Sequence, residues 1–447
     1  MLGVPPKRGS SRRALLPRLP PGIARRDDAF GAAARLARVK VLVVGSGGRE
    51  HALAWGLARS PRLTELHAAP GNPGIAALGR CHPVRADDGE GLLGLCRALG
   101  VDLVVVGPER PLVGGVADEL RHAGIAVFGP SADAARIEGS KLFAKQVMEA
   151  AGVATARTFP VARPPCVVKS DGLAEGKGVF VCRTQAELDA GLRAAAALDA
   201  PILIEELLEG SEVSVFAISD GAEVVPLAAA QDFKRAYDGD AGPNTGGMGA
   251  YTPVPGFGAD ELEHLVDSIH RPVIAELARR GTPFVGVLFA GLILTDAGPH
   301  VLEFNCRFGD PETQAIVPAL HGDLLETLAA AASGRLDDLE LAPGPDAAVS
   351  IVLTAGDYPA GRDSGSTIEG ISDAEAAGAI VFHAGTAHHG ARLVTNGGRI
   401  LNVTAVGETL AAARSKAYAA AGRISFAGAR YRADIAAAAA QEAHVTG

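Results

Sequence analysis

No apolar run in the 447 residues is long enough to cross a bilayer, so no membrane-spanning role is expected. Cysteine is sparse and unpatterned. Cys81, Cys96, Cys166, Cys182 and Cys306 make an odd count with no C-x-x-C pair, which argues against both a disulfide framework and a zinc site. Reduced, mostly buried thiols in a cytoplasmic chain fit best, with Cys306 on the core side of its strand. Positive charge is scarce beyond residue 38. Residues 1–38 carry nine Lys/Arg and two Asp/Glu, so taking that local +7 from the total of −9 leaves the remainder near −16. An acidic body argues against non-specific nucleic-acid binding but allows a small anionic substrate at a local basic site. No internal repeat is visible.

What is present has the composition of an ordinary globular protein. With 48% of residues hydrophobic, the chain can bury a large core and build two to four domains. Residues 1–38 are rich in Arg and contain five prolines. A disordered extension is expected there, with a transit-like leader as the alternative. Apolar strands such as "VKVLVVGSGG", "VDLVVVGPE" and "AGIAVFGP" then alternate with helices. That pattern predicts a parallel α/β sheet covered on both faces over residues 39–139. Ser140 is placed to cap a helix beginning at Lys141. A β-rich stretch follows, then a polar loop over Gln231–Tyr251, a helix around Glu261–Arg279, and a hairpin turning at Asp296–Pro299. From about Ala347 short strands precede an Ala-rich helix.

Four stretches carry chemistry. "GSGGREH" follows a strand and opens a helix, a geometry that offers backbone N–H groups to an anion. Gly45 and Gly47 fit a dinucleotide fingerprint, but Glu50 stands where its third glycine belongs. A sugar phosphate at Gly45–Gly48 is the better functional reading, and a plain tight turn the bland one. "VVKSDGLAEGKGVFV" puts Lys169 at a strand end before a loop with Gly172, Gly176 and Gly178. Its spacing is not that of a P-loop; a hairpin flap over phosphates is expected, although such hairpins often bind nothing. "ILIEELLEGSE" supplies Glu205, Glu206 and Glu212, either for ribose hydroxyls or simply as a solvated strand end. In "VLEFNCRFGDPE", Glu303, Asn305 and Arg307 alternate with apolar residues and so share one strand face. Glu303 and Asn305 are two hard oxygen donors, as magnesium prefers. Arg307 can hold a carboxylate or phosphate bidentately. A polar surface strand is the alternative.

Taken together, "VLVVGSGGREHALAW", "APGNPG", "VVVGPERPLV", "GPSADAARIEGSK", "KSDGLAEGKGV", "QDFKRAYDGDAGPNTGGMGAY", "EFNCRFGDPETQ" and "VTNGGRILNVTA" resemble the phosphoribosylamine–glycine ligases, or glycinamide ribonucleotide synthetases, of the ATP-grasp superfamily. The motifs run in the family's order from about Val39 to Asp434. The resemblance implies an α/β and α+β multidomain fold. Its parts are an N-terminal parallel-sheet domain (39–139), an ATP-grasp domain (140–345) with a small flap subdomain over about 157–225, and a small C-terminal β-containing domain (346–437). It implies ATP held by Lys141, Lys169, the Gly172–Gly178 flap, Glu205, Glu206, Leu208 and Glu212. Mg²⁺ or Mn²⁺ would sit on Glu303 and Asn305, with Arg307 and Lys169 catalytic. Gly45, Gly47, Gly48, Glu109, Asn244, Gly246, Gly247 and Asp310 would line the side where phosphoribosylamine and glycine bind. The chain departs from the family in a short "ARTFPVARPPCVVK", a trimmed stretch between Val181 and Pro201, and the lack of a glycine after Asp434-Ile435.

The expected reaction is ATP-dependent ligation of glycine to phosphoribosylamine through a glycyl phosphate, in purine biosynthesis. A monomer is expected, with no nucleic-acid or membrane partner and only transient contact with neighbouring pathway enzymes. Rival readings are another ATP-grasp carboxylate–amine ligase, opposed by "NTGGMGAY", and a nucleotide-sensing module without turnover, opposed by the Glu303/Asn305 pair and both lysines.

Overall fold

The computed structural model describes residues 38–173, 178–336 and 341–442. Apart from Arg38, the extension expected over residues 1–38 lies outside the described residues. Strand β1 (Val39–Gly45) is apolar along most of its length, and Val41 to Val44 are fully buried. A strand without a polar face needs cover on both sides. It sits at the centre of a sheet with β2 (Leu63–Pro70), β3 (Arg80–Cys81), β4 (Leu103–Val106) and β5 (Ala126–Phe128), in the order β3-β2-β1-β4-β5. All four pairings are parallel, as the strand–helix alternation predicts. β1 ends at Gly45, whose φ of +127° disfavours any side chain. A helix over Gly48–Leu57 starts three residues later.

The helix predicted after Ser140 runs over Lys141–Ala151. Ser140 Oγ accepts from Phe143 N at 3.2 Å, and Gly152 ends the helix in the left-handed conformation. The short segment before Cys166 forms no helix. It runs extended, bridging Thr155 to Val301 and Thr158 to Glu205. β6 (Cys166–Ser170), β7 (Val179–Cys182) and β8 (Ile202–Glu206) then make a small antiparallel sheet, ordered β7-β6-β8. The Gln185–Ala196 helix covers one face of it through Cys166, Val168, Cys182, Leu188 and Ala195.

The chain continues through β9 (Ser211–Asp220), β10 (Val224–Asp232), β11 (Arg235–Tyr237), β12 (Ala241–Asn244), β13 (Gly249–Thr252), β14 (Val285–Thr295) and β15 (Gly298–Asn305). β11 and β12 pair only with each other. The others build a large sheet in the order β15-β14-β9-β10-β13, which continues into the strands Ala347–Thr354, Arg399–Gly407 and Ile380–His383. The sheet therefore runs unbroken past residue 346, where the sequence suggests a new domain. No helix among the described residues is long and apolar enough to cross a membrane.

Three local expectations are corrected. The polar loop expected over Gln231–Tyr251 begins inside β10 and ends inside β13, because Gln231 pairs with Tyr251 and Asp232 with Ala250. The hairpin turn is tighter than Asp296–Pro299: Thr295 pairs with Gly298, so only Asp296 and Ala297 turn. The helix near Glu261–Arg279 carries a π-helical turn at Val266–His270. Directly paired residues share a sheet face. Ala230, Ser214, Gly291 and Glu303 thus form one row across β10, β9, β14 and β15. Asp232 and Glu212 lie two residues along in one direction and Asn305, level with Phe289 and Phe216, two residues along in the other, all on that face.

Candidate active site

Glu303 is open to solvent on this face, although protein crowds its other sides. Burial pushes its carboxyl up. Lys234, Lys169, Lys141 and Arg307 outweigh that and hold it below the usual range. None of these cations reaches it within 4 Å among the described residues. Asn305 is 6% exposed, and its Nδ2 has no hydrogen-bond partner. No group of three or more His, Cys, Asp or Glu is arranged for a metal among the described residues. A carboxylate and an amide oxygen on one face, near lysines but not bonded to them, instead fit a magnesium-type ion that keeps water and phosphate ligands.

Facing this floor are two lysines from separate elements. Lys169, at the end of β6, lies 2.7 Å from Glu205 and donates to the Leu302 carbonyl at 3.0 Å. Lys141 Nζ donates to the Gly172 carbonyl at 3.0 Å. Burial, opposed mainly by Glu303, lowers the Lys141 pKa. Asp171 seats the base of the flap on the Lys141–Ala151 helix, accepting from Lys141 N at 2.6 Å and Ser140 Oγ at 3.1 Å. Carboxylates are favoured at a helix N-terminus. Gly172 has φ +87° and Gly178 is buried, while Gly176 lies outside the described residues.

The carboxylates read for the nucleotide are already engaged. Glu205 is 2% exposed and bridges Lys169 and Lys145, the latter at 2.8 Å. Lys145 also donates to Thr155 Oγ1 and the Ala156 carbonyl. Glu206 is held by Arg157, through its backbone N and its guanidinium, both at 2.8 Å. Glu212 pairs with Lys234 at 2.7 Å. Leu208 is partly buried beyond them. Neither the Glu205 nor the Glu206 carboxylate is therefore a free acceptor.

On the opposite side, Glu50 accepts from Gly47 N at 2.6 Å and binds Arg49 Nε at 2.6 Å. Gly47 has no side chain, so only this half of a capping box exists. A Cβ on Gly45 or Gly107 would collide with the Glu50 side chain, 2.6 and 2.1 Å away. Glu50 thus fills the space under the glycine loop. A Cβ on Gly48 would meet Asn402 Oδ1 and Gln314 Nε2. Arg307 lies 3.3 Å from both Glu109 and Glu138, tying the N-terminal sheet to the floor. Its Nε faces Glu109 without hydrogen-bond alignment. Burial depresses the Arg307 pKa, but Glu138, Glu109 and Glu312 more than reverse this. Asp310 pairs with Arg399 at 2.9 Å and accepts from Gln314 at 2.7 Å. Arg399 also reaches the Gly246 carbonyl, and Tyr358 Oη accepts from Gly246 N at 3.0 Å. Gly247, at φ +107°, lies over Pro311. Asn244 stands apart, exposed at the β11–β12 hairpin.

The structure thus gathers Lys141, Lys169, Glu205, Glu303 and Asn305 at one end, and Glu109, Arg307, Asp310, Gly246 and Gly247 at the other. Sequence reasoning missed Lys145, Asp171, Asp232, Lys234, Glu312 and Arg399. The alternation in Gln231–Arg235 could have revealed Asp232 and Lys234 as a strand-end pair. A hollow of about 370 Å³ beside Ile368, Asp373 and His383 brings together none of these groups, so the ionisable cluster marks the site.

Comparison with known proteins agrees in order and extent. The family models for phosphoribosylglycinamide synthetase match in three parts: the N domain over residues 39–138, the ATP-grasp (A) domain over 139–313 and the C domain over 348–438. The phosphoribosylamine–glycine ligase of Streptomyces coelicolor is 50% identical over 418 residues, covering 90% of this chain and all of that protein. That of Corynebacterium ammoniagenes is 49% identical, covering 89% of this chain and 97% of that protein. The crystal structure of the Thermotoga maritima phosphoribosylamine–glycine ligase superposes with a TM-score of 0.76 at 34% identity, over 89% of this chain and 100% of that one.

Proposed function

The chain belongs to the phosphoribosylglycinamide synthetase family, and from that membership we infer that it joins glycine to 5-phospho-D-ribosylamine. The reaction consumes ATP and forms ADP, phosphate and glycinamide ribonucleotide, a carbon–nitrogen ligation of purine biosynthesis. The observation that carries this reading is the three-part family match together with a floor on which Glu303 and Asn305 face Lys141 and Lys169.

An unactivated carboxylate is a poor acyl donor. In the reading favoured here, one glycine carboxylate oxygen attacks the γ-phosphorus and ADP leaves; the amine of phosphoribosylamine then displaces phosphate from the glycyl phosphate. Lys169 and Lys141 would neutralise phosphate charge, which requires Lys169 to leave Glu205. Lys145 remains on Glu205 and keeps that buried carboxylate compensated. Arg307, aligned by Glu109 and Glu138, would orient an anionic group. Glu303 and Asn305 Oδ1 would hold Mg²⁺ or Mn²⁺, which neutralises charge on the transferring phosphoryl group when bound. The loop with Gly246 and Gly247, gathered by Arg399, and the Gly45–Gly48 turn would line the phosphoribosylamine side. Cytoplasmic location and a monomeric state are the accompanying expectations.

ADP release measured with each substrate omitted in turn tests the assignment. Release should require both glycine and phosphoribosylamine. Equal turnover with alanine, or without any amine, would sink it. Glycine carrying heavy oxygen in its carboxylate tests the intermediate, since one labelled atom should appear in the released phosphate.

A further inference from the structure

Two of the family stretches hold buried polar side chains that the chemistry above does not use. Asn72, in "APGNPG", is 8% exposed, and His51, in "GSGGREH", is 7% exposed. Such groups are costly to bury unless their polar atoms are bonded. Asn72 uses both ends of its amide. Its Oδ1 accepts from Ile75 N at 3.0 Å and caps the short Pro73–Ala76 helix. Its Nδ2 donates to the Ser46 carbonyl at 2.9 Å, the Gly47 carbonyl at 3.3 Å and the His383 carbonyl at 2.8 Å. Three carbonyls share its two amide hydrogens, so no donor is left for a ligand. His51 Nδ1 accepts from His383 N at 2.8 Å. Burial, and His383 after it, lower the His51 pKa to about 3. The ring is therefore neutral near pH 7, and Nδ1 keeps the lone pair that this bond needs.

Both backbone groups of His383, its N–H and its C=O, are thus taken by side chains of the N-terminal domain. His383 ends the Ile380–His383 strand of the C-terminal part. Asn72 grips the glycine turn directly, and His51 stands in the first turn of the helix that the glycine turn opens. The packing agrees with the bonds. The His51 ring meets Phe382 edge-on, with centroids 5.4 Å apart. A Cβ on Gly74 would lie 2.1 Å from His51 Cε1 and 2.9 Å from His383 Cδ2, so a side chain there would press on both rings. Phe382 pairs with Asn402 on the neighbouring strand, and a Cβ on Gly48 would lie 2.6 Å from Asn402 Oδ1. Two C-terminal strands therefore back the glycine turn. We propose that Asn72 and His51 are positioning residues for phosphoribosylamine: they fasten the His383 backbone to the Gly45–Gly48 turn, so that the C-terminal strands set where the turn meets that substrate. This rests on the ligase reading above, in which the turn lines the phosphoribosylamine side. A small shift suffices, since a misplacement of about 1 Å can cost roughly 100-fold in rate.

The test follows ADP release by the full chain and its variants, with KM measured separately for phosphoribosylamine, glycine and ATP. Asn72→Asp is the decisive change. It keeps the acceptor that caps the Pro73–Ala76 helix and removes both donors. The phosphoribosylamine KM should rise about 10- to 100-fold, on the scale of one or two lost hydrogen bonds, while the ATP KM hardly moves. Gly74→Ala deletes no hydrogen-bonding group, yet it should raise the same KM by displacing His51. His51→Gln, whose side-chain oxygen can still accept from His383 N, should retain more activity than His51→Leu. Both side chains act through His383, so the double variant Asn72→Asp, His51→Leu should cost less than the product of the two single effects. Equal rises in all three KM values, or fully independent effects in the double variant, overturn the proposal. If Asn72→Asp does not fold, Gly74→Ala decides, and an unmoved phosphoribosylamine KM in that variant overturns it. Wild type whose ADP release needs neither glycine nor phosphoribosylamine refutes the ligase reading itself, and this proposal with it.

Discussion

The two ends of the floor differ in how their charges are matched before any ligand arrives. At the flap end Lys145, Glu205 and Lys169 form a closed triad, and Asp171 is seated on a helix N-terminus. Across from it, on the floor strands and the Glu312–Ala319 helix, Glu303 and Glu312 have no cation within 4 Å among the described residues, and Asp232 has only Lys234 at 3.9 Å. The first end is assembled in advance and must give up a contact, Lys169 to Glu205, when phosphates enter. The second is left incomplete, with carboxylates that no side chain closely pairs. One end is thus closed by its own residues and the other is left open in charge.

Glu303→Ala should break the incomplete end most severely. Changes one step removed from a metal typically cost about 10–100-fold, and loss of a direct ligand should cost at least that in kcat, with excess Mg²⁺ restoring only part. A near-normal rate would show that the exposed carboxylate has another purpose. Lys145→Met attacks the matched end. Glu205 would then rely on Lys169 alone and hold it away from ATP, so the ATP KM should rise about tenfold while the glycine KM stays put, on the scale of one charge-assisted hydrogen bond. An equal rise for both substrates would mean that the two ends are not separable.

The third test is pH. The Glu312 carboxyl titrates higher in the fold, near 7, than its ordinary 4.5. A carboxyl raised on folding contributes stability that is complete below about 4.5 and is lost as pH rises through about 7. Denaturant titrations without ligands should show stability falling across that window, and Glu312→Gln should flatten the slope. A slope unchanged by the substitution would show that the incomplete end carries no such deficit. The smallest effect serves as a control outside both ends. Ala436 adopts φ +57° where the family's glycine is missing. Ala436→Gly should stabilise the fold by about 0.5–1 kcal/mol and leave every KM unchanged, as equilibrium unfolding and kinetics would report.

Much of this was legible in the chain. Apolar β1 and β4, the glycine stop at Gly45 and the Ser140 cap are local signals, and local signals survive into the fold. The shared face of Glu303 and Asn305 follows from strand parity alone. What could not be read was pairing across long sequence separations. Glu205 looks free in "ILIEELLEG" because its partner Lys145 lies sixty residues earlier on a helix. Asp310 looks free until Arg399 arrives from a strand near the C-terminus. Nothing local in "VLEFNCRFGDPE" marks Glu312, and only the fold sets Asp232 and Ser214 near it. The polar start of the 231–251 segment read as loop because tertiary pairing, not propensity, makes Gln231 and Asp232 part of a strand.

The continuation of the large sheet from β13 into Ala347–Thr354 and Arg399–Gly407 bears on motion as well as shape. Strands joined edge to edge open together, so the floor and the C-terminal strands should behave as one cooperative unit in hydrogen exchange. The small β7-β6-β8 sheet shares no ladder with them. It can loosen at much lower free energy, through the few contacts of Asp171, Lys169 and Lys145. Exchange protection should therefore rise sharply between Glu206 and Ser211, over a handful of residues. Opening at that step would be a local event that leaves the ladder of the large sheet undisturbed.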